Sequence, residues 1–177
     1  VRGYVNENGE VILETSGELH LERCVKDLKE RFANVDITVG RARVGFRETI
    51  TKEVEGIVKV TNGDVKIKLK PFNCKIMNDN YELISKSDKL NVIMTKLNKL
   101  DTSTVDIGAI SMGFSVAIKE GPMMAEPIDS MEVEIIEIIP TTEKYDNVIG
   151  DTKSTIHELF LLANPRIELA MYKATIQ

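Results

Sequence analysis

Lys66, Lys68 and Lys70 stand at alternate positions, with Val65, Ile67 and Leu69 between them. Side chains of a strand alternate between its two faces, so this spacing sets three ammonium groups in a row on one face and three apolar groups on the other. A lysine row can meet nucleic-acid phosphates, and Lys59 and Lys75 would extend it, each neutralised phosphate adding salt dependence. The same pattern is also the ordinary wet face of an antiparallel sheet. Phe72 is the only aromatic residue close by, so a base-stacking platform is not expected and any contact would be to backbone phosphate.

Other reactive groups are few. No Gly-x-x-x-x-Gly-Lys-Ser/Thr run exists to cradle a nucleotide's phosphates, and no nucleophile-elbow motif accompanies the two histidines. His20 sits among charged neighbours and His157 within a helical stretch; each is expected as an exposed or interface histidine rather than a ligand or base. Cys24 and Cys74 are fifty residues apart among apolar neighbours. That supports neither a disulfide framework nor a four-ligand zinc site, and it fits small core side chains in a reducing cytoplasm. No catalytic residue, cofactor site or metal site is expected in this chain.

The 177 residues suffice for one large domain or two small ones, each with its own core. The net charge of −5 hides an asymmetry: residues 1–40 hold 5 basic and 8 acidic groups, residues 41–100 hold 13 and 7, and residues 101–177 hold 5 and 13. A basic middle in an acidic protein is compatible with one RNA-facing surface. No stretch approaches the ~20 apolar residues of a membrane span. A first residue, Val1, that already lies in a strand-like run leads to the expectation of a piece of a longer protein.

Strands and helices must place these groups. Residues 1–6 and 10–14 flank Asn8-Gly9 and predict a hairpin. Thr15 and Glu18 have capping-box spacing ahead of a helix with the stripe Leu21, Cys24, Val25, Leu28 and Phe32. It ends near Ala33-Asn34, and residues 35–39 are expected as a strand. This ββαβ run is about three quarters of a ferredoxin-like unit and should leave an exposed edge or apolar face. Residues 41–43 read as a linker. Strands over 44–51, 54–61 and 64–70 follow, the last two joined at Asn62-Gly63. Asp88 could cap a helix with the stripe Leu90, Ile93, Met94, Leu97 and Leu100. Ser103 and Asp106 have the spacing to start another, which runs to about Lys119 and stops at Gly121-Pro122. A strand over 131–139, a polar loop over 140–150, a helix over 152–163 and a strand over 169–177 complete an α+β reading.

Two runs exceed what helix and strand physics requires: Gly17-Glu18-Leu19-His20-Leu21-Glu22-Arg23-Cys24 and Gly45-Phe46-Arg47-Glu48-Thr49. Together they resemble the GELHLE helix and RET strand of the elongation factor two and elongation factor G family of translational GTPases. Gly113-Phe114 and Lys119-Glu120-Gly121-Pro122 are further anchors. The resemblance implies that residues 1–40 correspond to the later part of domain III, a ferredoxin-like unit. Residues 44–166 would be domain IV, an α/β sandwich with a ribosomal-protein-like βαβ fold that reaches into the ribosomal decoding region. Residues 167–177 would be the first strand of domain V. The nucleotide-binding domain would lie upstream of Val1, so GTP and magnesium would belong to the whole protein and not to this chain.

Within the family, Gly121-Pro122-Met123-Met124-Ala125-Glu126-Pro127 resembles the GPM-x-x-EP segment of the eukaryotic elongation-factor-like branch that matures the large ribosomal subunit. Pro165-Arg166 with Leu169-Ala170-Met171-Tyr172 resembles that branch's passage into domain V. The translocase carries a histidine modified to diphthamide in its tip loop, whereas residues 140–150 here read PTTEKYDNVIG, without histidine and with one glycine. The resemblance therefore implies a non-catalytic, cytoplasmic part of the maturation factor. Its partners would be the large ribosomal subunit and its RNA, the Shwachman–Bodian–Diamond protein, and initiation factor six, whose release it promotes; neither membrane nor DNA enters. The alternatives are a fragment of a divergent elongation factor two acting in translocation and a free-standing interaction domain. RNA contact is expected from Thr141, Thr142, Lys144, Tyr145 and Asn147 in the tip loop and from Lys66, Lys68 and Lys70. Arg47 and Glu48 are expected to form a strand-borne ion pair.

Overall fold

The structure, a computed structural model, describes residues 1–6, 8–33, 35–72, 80–87 and 91–177. In chain order the elements are β1 (Arg2–Val5), β2 (Val11–Thr15), α1 (Glu18–Asp27), β3 (Arg43–Ile50), β4 (Val54–Val60), β5 (Gly63–Pro71), β6 (Tyr81–Lys86), β7 (Val92–Leu97), α2 (Ile107–Ala117), β8 (Met131–Pro140), α3 (Val148–Leu162) and β9 (Pro165–Ile176). The expected α+β class holds, with two sheets and three α-helices among the described residues. The chain divides into two compact units, Val1–Phe46 with Glu168–Gln177, and Arg47–Ile167.

In the smaller unit β1 and β2 pair antiparallel, and β2 pairs antiparallel with β9 from Val11↔Ile176 to Thr15↔Tyr172. The β1–β2 turn is closed by the Asn6 side-chain oxygen, which accepts the N–H groups of Asn8 and Glu10 at 3.0 and 2.9 Å, while Gly9 takes φ +79°. Three expectations are corrected here. α1 has no capping box: Gly17 is the cap residue and the Thr15 hydroxyl donates instead to the Gly17 carbonyl. The helix passes into a π-helical turn, Leu28–Phe32, closed by Ala33 N–H to Leu28 C=O at 2.7 Å. The wider turn breaks the 3.6-residue stripe, so Leu21 is buried while Phe32 is 74% exposed. Residues 35–39 form no strand; Val39 makes an isolated bridge to Ile176, and β9 from the far end of the chain supplies the sheet's pairing.

In the larger unit the sheet order is β4-β5-β8-β7-β6. β7 and β8 are parallel, which requires a crossover, and α2 provides it; the other pairs are antiparallel. Phe114 of α2 and Phe160 of α3 are fully buried with Val58, Ile67, Leu69, Met94 and Ile135 of the sheet. α2 approaches α3 closely at Gly113, where a Cβ would lie 2.6 Å from Thr152 Cβ and 2.7 Å from the Ile149 oxygen.

The helix expected with its stripe over 90–100 is a strand instead. Ile93, Met94 and Leu97 belong to β7, while Asp88 and Leu90 lie outside the described residues. Val92, Ile93, Met94 and Thr95 are buried consecutively, so both faces of β7 are covered here, and a short apolar run of this kind cannot be told from a buried helix by periodicity. α2 is capped by Asp106, whose carboxylate accepts Ala109 N–H, not by Ser103. α3 starts at Val148, four residues early, with Asn147 as its cap.

Candidate functional site

Residues 141–147 join β8 to α3, and the register Gly63↔Pro140 sets this loop beside the β4–β5 turn. In that turn Thr61 and Asn62 are the two loop residues, and Asn62 takes φ +68° while Gly63 pairs with Val60, one residue from the expected Asn62-Gly63 centre. Four hydrogen bonds tie the two loops together. Asn62 N–H donates to Glu143 C=O at 3.0 Å and Thr141 N–H to Asn62 C=O at 3.2 Å. The Thr61 hydroxyl donates to Tyr145 C=O at 2.8 Å and accepts Tyr145 N–H at 3.1 Å.

Tyr145 donates its hydroxyl to the Glu143 carboxylate, and this bond raises the phenol pKa. The Lys59 ammonium lies 6.0 Å from the centre of the same ring. A cleft of about 450 Å3 adjoins these residues, lined among others by Thr61, Tyr145, Asn147 and, from the start of α2, Asp106. Of the five loop residues expected to contact RNA, the fold draws three into its framework. Thr141 has a buried hydroxyl, Tyr145 is half-buried, and Asn147 caps α3 through Gly150 N–H at 3.2 Å. Thr142 and Lys144 are exposed.

The lysine row has the expected alternation: Val65, Ile67 and Leu69 are buried on the helix-covered side. Its ammonium groups are engaged within the molecule. Lys66 pairs with Glu55 at 2.9 Å, Lys68 with Glu53 at 2.9 Å and Glu55 at 3.8 Å, and Lys70 with Glu134 at 3.0 Å and Glu132 at 3.4 Å. Hydrogen bonds to Glu55 and Glu53 raise the pKa values of Lys66 and Lys68. Burial pulls Lys70 down, but Glu134 and Glu132 outweigh it and its pKa is raised. A phosphate reaching this face must compete with four carboxylates. Lys75 lies outside the described residues.

Arg47 and Glu48 do not pair with each other. Arg47 is bonded to Asp129, and neighbours on a strand point to opposite faces. Glu48 is 0% exposed, and its carboxylate accepts the backbone N–H groups of Met123, Met124 and Glu126 at 3.0, 2.8 and 3.2 Å. A Cβ at Gly121 would overlap that carboxylate. The two motifs thus meet in space: the Glu of Arg-Glu-Thr holds the Gly-Pro-Met-Met-Ala-Glu segment.

Convergent backbone N–H groups of this kind also hold phosphates, but here they are filled by a protein carboxylate. A nucleotide therefore does not fit them. Among the described residues no group of three or more His, Cys, Asp and Glu side chains can hold a metal ion, and no helix is long and apolar enough to cross a membrane. Ser16 hydrogen-bonds His20 at 3.1 Å, and His157 Nε2 meets the Ala117 carbonyl at 3.0 Å, tying α3 to the end of α2. Cys24 is a half-buried free thiol; Cys74 lies outside the described residues.

Across its full length the chain is 24% identical to ribosome assembly protein 1 of Saccharomyces cerevisiae, covering 25% of that protein. Over 84% of its length it is 33% identical to elongation factor G of Wolbachia pipientis, covering 26% of it. A further 36% identity, over 57% of this chain and 9% of the relative, links it to human elongation factor-like GTPase 1. The chain belongs to the elongation factor G and elongation-factor-like family. No family profile matches it. It spans about a quarter of the yeast and Wolbachia relatives. For a member of this family, the anchor residues have packing reasons: Gly113 admits α3, Phe114 fills the core, and Glu48 and Gly121 lock one loop. Thr61 and Asn62 escaped the sequence reading. A turn signal marks them, but their bonds to a loop 84 residues away have no local signature.

Proposed function

We propose that this chain is the non-catalytic, ribosome-contacting part of a cytoplasmic GTPase that matures the large ribosomal subunit and promotes release of initiation factor six beside the Shwachman–Bodian–Diamond protein. In this reading residues 1–40 belong to domain III, 44–166 to domain IV and 167–177 to domain V, and GTP and magnesium act in a nucleotide domain outside the chain. The observation that carries it is the loop at 141–147 in a chain similar throughout to a ribosome assembly protein. The loop is pinned at its base and exposes Thr142 and Lys144, with no histidine for the modification that serves translocation. Contact with the subunit and its RNA is assigned to this loop end, and Lys66, Lys68 and Lys70 to the sheet's ion-pair lattice.

The test compares GTP hydrolysis by the whole protein with isolated large subunits and with whole ribosomes. Stimulation by large subunits with release of initiation factor six is expected. Stimulation that needs whole ribosomes and supports peptide synthesis would instead establish the divergent translocase. Replacing the three lysines by glutamine is expected to leave the salt dependence of subunit binding unchanged. A slope lower by about one per lost contact would return the ladder to the RNA interface.

A further inference from the structure

We infer that Thr61, on the β4–β5 turn, is a positioning residue for the contact loop, and that the loop end works as a two-part device, with the β4–β5 turn holding residues 141–147 in the binding-competent shape. The inference rests on the proposed role of that loop and names what presents it. Thr61 spends its one hydroxyl on both backbone groups of Tyr145, donating to the carbonyl and accepting from the N–H. Asn62 engages the backbone on either side of Thr142, through Thr141 and Glu143. Lys59, from the strand that leads into the same turn, faces the Tyr145 ring. Residues 141–147 are otherwise a polar seven-residue connection, and Thr142 and Lys144 are among its exposed members, with Glu143, Asp146 and Asn147.

A free connection of that length samples many conformations, and binding would have to order it. Fixing the backbone at Thr141, Glu143 and Tyr145 leaves Thr142 and Lys144 displayed on a set frame, so the ordering cost is met on folding instead of on binding. Such bonds should therefore appear in affinity more than in stability.

The test uses the whole protein and purified large ribosomal subunits, with Thr61→Val, Thr61→Ser and Lys144→Glu. Valine keeps the branched shape but can neither donate nor accept, whereas serine keeps both functions. Subunit affinity is measured together with amide exchange at Tyr145 and along β8. Thr61→Val is expected to weaken binding about tenfold and to free the Tyr145 amide while β8 stays protected. Thr61→Ser should restore both. Thr61→Val with undiminished affinity, or serine that fails to rescue, overturns the inference. Lys144→Glu separates the two levels. If it weakens binding and Thr61→Val does not, only the positioning role falls. If wild type does not bind, or Lys144→Glu binds as wild type does, the loop is not the contact and the positioning role falls with it.

Discussion

Glu48 is a motif residue whose place has a packing reason. Its carboxylate is fully buried, and three backbone N–H groups replace the water it gave up. Glu48→Gln keeps the size but turns an amide donor toward those donors, so we expect a loss of about 2 kcal/mol or more, read as a lower urea midpoint at unchanged slope. Glu14 acts differently. Burial raises its pKa, yet the 2.8 Å bond to Lys173 and the bond from Tyr4 win, and the net shift is downward from the ordinary 4.5. A depressed folded pKa means that the stabilisation is complete above about pH 4.5 and is lost as pH falls through the lower folded value. Glu14→Gln should therefore flatten the acid limb of the melting-temperature profile below about pH 5 and leave it parallel to wild type above.

At the scale of elements, the α2–α3 crossing is a joint with no slack. Gly113 faces Thr152 and the Ile149 carbonyl with no space for a methyl group. Gly113→Ala gains helix propensity of about 1 kcal/mol but must push the helices apart, an overpacking cost of about 1–3 kcal/mol. We expect net destabilisation, checked by thermal melting, because the close carbonyl is backbone and cannot rotate away. β7 carries the opposite lesson about legibility. Its apolar run was visible, but the choice between helix and strand rested on pairing with β6 and with β8, the latter some forty residues away. β5 was plain because three lysines alternate with three buried aliphatics, a period that only a strand can satisfy.

For the molecule as a whole, apolar burial is uneven. Among the described residues the smaller unit buries Leu21, Ala174 and Ile176, whereas the larger unit holds a continuous core from Ile50 to Ala163. Opening free energies follow buried contacts, so amides of β1, β2 and α1 should exchange at least about tenfold faster than those of β5, β7 and β8. Hydrogen exchange by mass spectrometry checks this, and equal protection in both units would contradict it. The smaller unit's sheet also joins the chain's first forty residues to its last ten, so deleting the end of β9 should loosen the β1–β2 hairpin first.

The residue order alone determined the α+β class, most strands and helices, the buried face of β5, the absence of a phosphate loop, and the family. Each of these is encoded in short-range periodicity, turn chemistry or contiguous motifs. Tertiary structure alone decided that Glu48 grips the 121–127 segment, that the lysine row is neutralised by glutamates from β4, β8 and the turn before β4, that β9 stands where a strand over 35–39 was expected, and that Thr61 holds Tyr145. All four join residues that no single helix or strand contains. Nothing in a local window records which distant donor will meet which acceptor, because that pairing is set only when the sheets assemble.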